Sequence, residues 1–183
     1  MSRHIIICII LALSTLTLKA QELVQGDFLP LLDTHIITVQ FNFTQADIDG
    51  QSIEDFIEFK TFEKGLNYSH EFDKDKRKII SDFIEEFNDT NSPIILTVSS
   101  NTNIVLTVNV KRISRKGNMV NCDYVFLNKA TDEIIASVSM TSKDGRVGSF
   151  TNLMGDAFEK AGKILGKYIK KMLRAEQKKQ NSK

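Results

Sequence analysis

The chain has 183 residues, 42% hydrophobic and 26% charged, which is ordinary globular composition and enough for one domain with a core. Phe outnumbers Tyr twelve to three and Trp is absent, so the aromatic mass points to core filling and away from aromatic binding platforms. The formal net charge of +1 conceals a split: residues 21–159 carry 22 acidic against 13 basic groups, net −9, whereas residues 160–183 carry nine basic against one acidic, net +8. An acidic body repels nucleic acid over most of its surface, which weighs against a nucleic-acid partner, and none is expected.

Residues 1–20 read as a signal peptide. Arg3 and His4 give a short basic start, and the apolar run Ile5–Leu18 falls short of the ~20 residues that span a bilayer. Small Ala20 suits a cleavage site, so cleavage after Ala20 and export to the periplasm or beyond are expected, with a retained anchor as the alternative. Cys8 lies inside the run. Cleavage leaves Cys122 alone, so a disulfide scaffold is excluded.

Residues 21–35 are linker-like, with Pro30 and little periodicity. In "IITVQFNF" (36–43), Ile37, Val39, Phe41 and Phe43 alternate with Thr38, Gln40 and Asn42, which predicts a half-buried strand. "DIDG" (47–50) has two carboxylates and a glycine, but a calcium loop would need its bidentate Glu where Phe56 stands, so an ordinary strand-to-helix turn is expected and no metal. Ser52 and Asp55 resemble a capping box for a helix over 52–62, which Gly65 can end. The three- and four-residue steps of Phe72, Ile79, Ile80, Phe83, Ile84 and Phe87 predict a second helix over 73–88, stopped by "NDTNSP".

Four strands follow, over 94–98, 103–113, 118–127 and 133–140, with short turn-rich connections that predict antiparallel neighbours. Leu106, Val108, Val110, Val120, Cys122, Tyr124, Phe126, Ala136, Val138 and Met140 fall on one face, and Thr, Ser and Asn on the other. Cys122 on the apolar face reads as inert filler.

A helix over 150–174 closes the pattern. At about 100° per residue, Phe150, Leu153, Met154, Ala157, Phe158, Ala161, Ile164, Leu165 and Tyr168 share an arc of about 140°, with lysines opposite. Gly155, Gly162 and Gly166 line one edge of that stripe, at a cost of roughly 1 kcal/mol each against Ala. Such a line lets another backbone come close. The leading expectation is a neighbouring strand or helix of the same chain. The alternatives are a homodimer seam or a docking groove for an envelope protein, with Gly155, Gly162, Gly166, Lys163, Lys167 and Lys170 as interaction residues. A basic amphipathic helix could also meet an anionic membrane, although lysines near a helix C-terminus suit its dipole in any case. Residues 176–183 are expected to be a flexible basic tail.

The expected architecture is therefore a two-layer α/β domain of the α+β type over 36–175, in the order β-α-α-β-β-β-β-α. Its five-stranded sheet is mainly antiparallel, the first strand is free to join parallel, and the helices cover one face. No zinc spacing involves His35 or His70, and no phosphate loop or nucleophile motif is present, so no cofactor and no catalytic residue is assigned. The functional expectation is an exported, non-enzymatic envelope protein that binds another macromolecule. The alternative is a small-molecule or glycan binder using Thr107, Asn109, Asn121 and Ser137 on the polar sheet face. Asn42, Asn67 and Asn88 each start an N-x-S/T sequon.

This order of elements resembles the small α/β domains of curli-secretion and penicillin-binding-protein-activator lipoproteins, although the leader lacks their lipobox. "DGQSIEDFIEF" and "GSFTNLMGDAFEKAGKILGKYIKK" look like segments of uncharacterised secreted proteins of Gram-negative gut bacteria. These resemblances imply a periplasmic setting and bring no site residues.

Overall fold

The computed structural model describes residues 21–65 and 67–182. The leader, with Cys8 and the cleavage expected after Ala20, lies outside the described residues.

The described chain builds an eight-stranded sheet covered by α-helices, which corrects the expected five strands: Gln21–Gly26, Asp47–Ile48 and Gln51–Ser52 add three. The strands are β1 (Gln21–Gly26), β2 (Ile36–Asn42), β3 (Asp47–Ile48), β4 (Gln51–Ser52), β5 (Ile95–Thr97), β6 (Ile104–Ile113), β7 (Met119–Asn128) and β8 (Glu133–Lys143). The helices are α1 (Ile53–Lys64), α2 (Tyr68–Asn88) and α3 (Phe150–Asn181). The spatial order is β1-β8-β7-β6-β2-β5, with the β3–β4 hairpin set beside the end of β6. The β6, β7 and β8 meander is antiparallel, as its short turn-rich connections predict.

The linker-like reading of 21–35 is corrected. Residues 21–26 form the edge strand β1, antiparallel to β8, with a bulge between Leu23 and Gln25. Its side chains are almost all exposed, so no periodicity marks it; backbone pairing alone makes the strand. Gly26 has a positive φ of 77°, and a Cβ there would meet the Ile135 carbonyl oxygen at 1.9 Å, so the close approach of β1 to β8 requires glycine. Phe28 and Leu31 then turn inward and are fully buried. The Phe28 ring stands edge-on to both Phe126 and Tyr168, at 6.0 Å from each, and so plugs the gap between sheet and last helix.

The expected antiparallel pairing of the strands over 94–98 and 103–113 is also corrected. β2 lies between β5 and β6 and is parallel to both. The connection between β5 and β6 crosses the end of β2 instead of folding back as a hairpin. Thr38 pins it there: its hydroxyl donates to the Ser100 carbonyl at 2.7 Å, and its N–H donates to Thr102 Oγ1 at 3.1 Å. "DIDG" forms a tight hairpin, with positive φ at Asp49 (56°) and Gly50 (88°), and not a simple turn into the helix.

Ser52 caps α1 as predicted, its hydroxyl accepting from the Asp55 N–H at 3.0 Å. α2 begins one turn earlier than its periodicity implies, because Tyr68 and Phe72 are buried. α3 continues through the segment expected to be a flexible tail. Glu176 is only 8% exposed there and pairs with Lys179 at 2.6 Å, so residues 176–181 are helical.

The sheet face under α2 and α3 is dry. Leu106, Val108, Tyr124, Phe126, Ala136 and Val138 have no exposed surface, and Phe83 of α2 stacks on Tyr124 at 6.1 Å. α3 lies over β7 and β8, α2 packs beside β5, and the two helices pack against each other.

Candidate functional site

The glycine edge of α3 meets α2 of the same chain. A Cβ at Gly162 would stand 2.3 Å from the Phe83 carbonyl oxygen, and one at Gly166 would stand 2.4 Å from Thr90 Oγ1 and 2.8 Å from the Phe87 carbonyl oxygen. The missing side chains let the two helix backbones cross in direct contact. A Cβ at Gly155 would meet nothing within 4 Å. The line of three glycines therefore divides: Gly162 and Gly166 are occupied from within, and only Gly155 faces open space.

Beside the glycine edge, on the outward side of α3, runs a basic stripe. Lys160, Lys163, Lys167, Lys170, Lys171, Arg174 and Lys178 fall within about 100° of arc at helical spacing. Its first half is neutralised. Lys160 pairs with Asp144 at 3.5 Å and Lys163 with Glu86 at 3.2 Å. Asp156 and Glu159 add negative charge there; burial, with Asp82 and Asp156 nearby, raises the Glu159 carboxyl above its ordinary value. The second half is different. Lys170 donates to the Thr90 carbonyl at 3.0 Å and so satisfies the end of α2. Lys167, Lys171, Arg174 and Lys178 have no carboxylate within ion-pair distance among the described residues. With Thr90 and Ala175 they line a shallow groove where α2 ends and α3 runs on. The sequence reading named Lys163, Lys167 and Lys170 but not Lys171, Arg174 or Lys178. Extending the same 100° arc past residue 170 would have found them.

The polar sheet face is a ladder of side chains bonded to one another. Gln40 donates to Thr107 Oγ1 at 2.9 Å, Asn42 to Asn109 Oδ1 at 3.1 Å, and Asn121 to Thr141 Oγ1 at 2.7 Å. Lys111 pairs with Asp123 at 2.8 Å. Ser137 sits between Val125 and Gln25 in the strand register. Thr107, Asn109 and Asn121 thus spend their polar groups sideways, and Thr38 is drawn away beneath the β5–β6 connection.

Reactive groups are dispersed. His35 and His70 are both exposed, and among the described residues no three His, Cys, Asp or Glu side chains gather as metal ligands. Asp47 accepts from the Gly50 N–H at 2.8 Å, and Arg112 lies within 3.9 Å of both Asp47 and Asp49. Cys122 is fully buried, and desolvation pushes its thiol up to about 12, so it stays protonated and is no nucleophile at neutral pH. At the other end of the sheet, Phe56, Phe59 and Phe150 share a hollow with Lys60, Glu63 and Arg115. Helical periodicity gave no sign that Phe59 and Phe62 would be exposed, at 51% and 91%.

No family model matches this chain, and no curated protein matches it. Among solved structures the chain is similar to the PelC dodecamer from Paraburkholderia phytofirmans, at 9% identity and a TM-score of 0.40, over 80% of this chain and 96% of that one. It is also similar to a DUF330 protein from Xanthomonas campestris, at 12% identity and a TM-score of 0.38, over 80% of this chain and 88% of that one. Likeness at this level assigns no function to this chain.

Proposed function

We propose that this protein is exported, acts in the cell envelope without catalysing a reaction, and binds another macromolecule through the outward basic stripe of α3. The observation that carries this reading is the run of four cations, Lys167, Lys171, Arg174 and Lys178, without carboxylate partners among the described residues. Like charges held on one helix face repel one another, and a partner of opposite charge relieves that cost. The basic start and apolar run of residues 1–20 support export. The glycine edge takes no part in this contact, because α2 fills it at Gly162 and Gly166.

The test places a photo-crosslinking side chain at Lys171 in one protein and at Asn121, on the polar sheet face, in another. Both are irradiated in intact envelopes of the source cell. Adducts from position 171 and none from 121 support the reading. Adducts from 121 alone favour a ligand on the sheet face, and none from either position overturns macromolecular binding. An N-terminus at Gln21 in the recovered protein supports cleavage after Ala20; an intact leader overturns it.

A further inference from the structure

On the reading that the basic stripe of α3 is the contact surface, the geometry points to a linear acidic polysaccharide as the partner. Lys167, Lys171, Arg174 and Lys178 follow one another at spacings of four, three and four residues. At 1.5 Å per residue these are steps of about 4.5–6 Å over a total of about 16 Å. Cations strung along a line do not converge on one small anion. They match a chain that carries one charge per sugar ring.

The groove has a wall as well as a floor. Thr90 stands at its edge, its hydroxyl donating to the Phe87 carbonyl at 2.7 Å and its own carbonyl taken by Lys170. An extended polymer can lie against that step, whereas a flat bilayer would meet only the ridge of the helix. Among the described residues the lining contains no large apolar side chain, and Thr90 and Ala175 are its uncharged members. Helices that bind at a membrane interface seat Trp, Phe or Leu in the acyl boundary, and none is on this stripe. Three of these four cations are lysines, strongly hydrated point charges on flexible stems that suit exchangeable contacts along a polyanion.

The test uses the protein as recovered from the exporting cell and polygalacturonate as the probe. Neutral dextran of equal length, phosphatidylglycerol vesicles and duplex DNA are run beside it. Polygalacturonate should bind and dextran should not, with affinity falling on the order of a hundredfold between 50 and 200 mM salt, as neutralising about four charges requires. Combining Lys167→Glu, Lys171→Glu, Arg174→Glu and Lys178→Glu should lower affinity at least tenfold. The same charge change at exposed Lys74, Arg115, Lys116 and Lys129 should leave it within twofold, both variants melting as cooperatively as the parent.

Absent polygalacturonate binding, equal binding by both variants, or tighter binding to vesicles or DNA would each overturn the inference. If crosslinks still form from position 171 while polygalacturonate fails to bind, the polysaccharide is wrong and the contact surface stands. If crosslinks are also lost, both readings fall together.

Discussion

The carboxamide of Asn88, at the end of α2, pairs with both backbone polar atoms of Leu96 in the edge strand β5. The Leu96 N–H donates to Asn88 Oδ1 at 2.9 Å, and Asn88 Nδ2 donates to the Leu96 carbonyl at 3.1 Å. One side chain thus takes the place of a neighbouring strand. It ties helix to sheet and closes part of an edge that could otherwise recruit another chain.

Asn88→Ala should therefore destabilise the protein by about 2–3 kcal/mol, since it leaves a part-buried donor and acceptor unpaired. Asn88→Asp should cost a similar amount, because a carboxylate cannot donate to the Leu96 carbonyl. Denaturant unfolding measures both. A loss below about 0.5 kcal/mol in each would mean that water replaces the carboxamide without penalty.

The glycines of α3 should respond in opposite directions. Gly155→Ala adds a methyl to open space and should gain up to about 1 kcal/mol of helix propensity. Gly162→Ala drives the same methyl against the Phe83 carbonyl at 2.3 Å and should lose about 1–3 kcal/mol. Thermal melting of the two variants side by side separates these outcomes. Equal shifts would show that the contact between α2 and α3 is looser than described.

Tyr124 is fully buried, and its hydroxyl has no well-formed hydrogen bond; the weakly polar Cys122 thiol is its neighbour. Removing an unsatisfied buried hydroxyl is nearly neutral or stabilising. Tyr124→Phe should hold stability or raise it by up to about 1 kcal/mol in urea unfolding, and a loss beyond 1 kcal/mol would reveal a buried partner.

Cys122 predicts how stability varies in alkaline solution. Burial raises its thiol from an ordinary value of 9.0 to about 12. Between those values the native state keeps a proton that the unfolded chain releases. Stability contributed below pH 9 is therefore lost as pH rises toward 12, at up to about 1.4 kcal/mol per pH unit. Tyr124, raised for the same reason of burial, adds a loss of the same sign at higher pH. Comparing urea unfolding at pH 8 and pH 10.5, Cys122→Ala should fall less than the parent by about 1–2 kcal/mol. The native thiol should also resist iodoacetamide at pH 8 until the protein is unfolded.

The central meander was legible because Val120, Cys122, Tyr124 and Phe126 alternate with polar residues, and burial of one face is what enforces a period of two. α3 was legible for the matching reason at 3.6 residues. β1 was not. Five of its six residues are exposed, so the segment has no pattern beyond Gly26, and that residue's role appears only against the Ile135 carbonyl. The lysine stripe was visible as composition, but not the fact that Asp144 and Glu86 neutralise its first half while Lys167, Lys171, Arg174 and Lys178 meet no carboxylate among the described residues.

The sequence by itself determined the one-sided burial of the sheet, the three helices and their approximate spans, and the concentration of positive charge in the last helix. Each is written in residues a few positions apart. Only the tertiary structure decided that β2 runs between β5 and β6, that α2 occupies Gly162 and Gly166, that Asn88 closes the β5 edge, and which cations pair with Asp144 and Glu86. Those outcomes depend on which distant backbones and charges come within a few ångströms, and local periodicity carries no record of such distances.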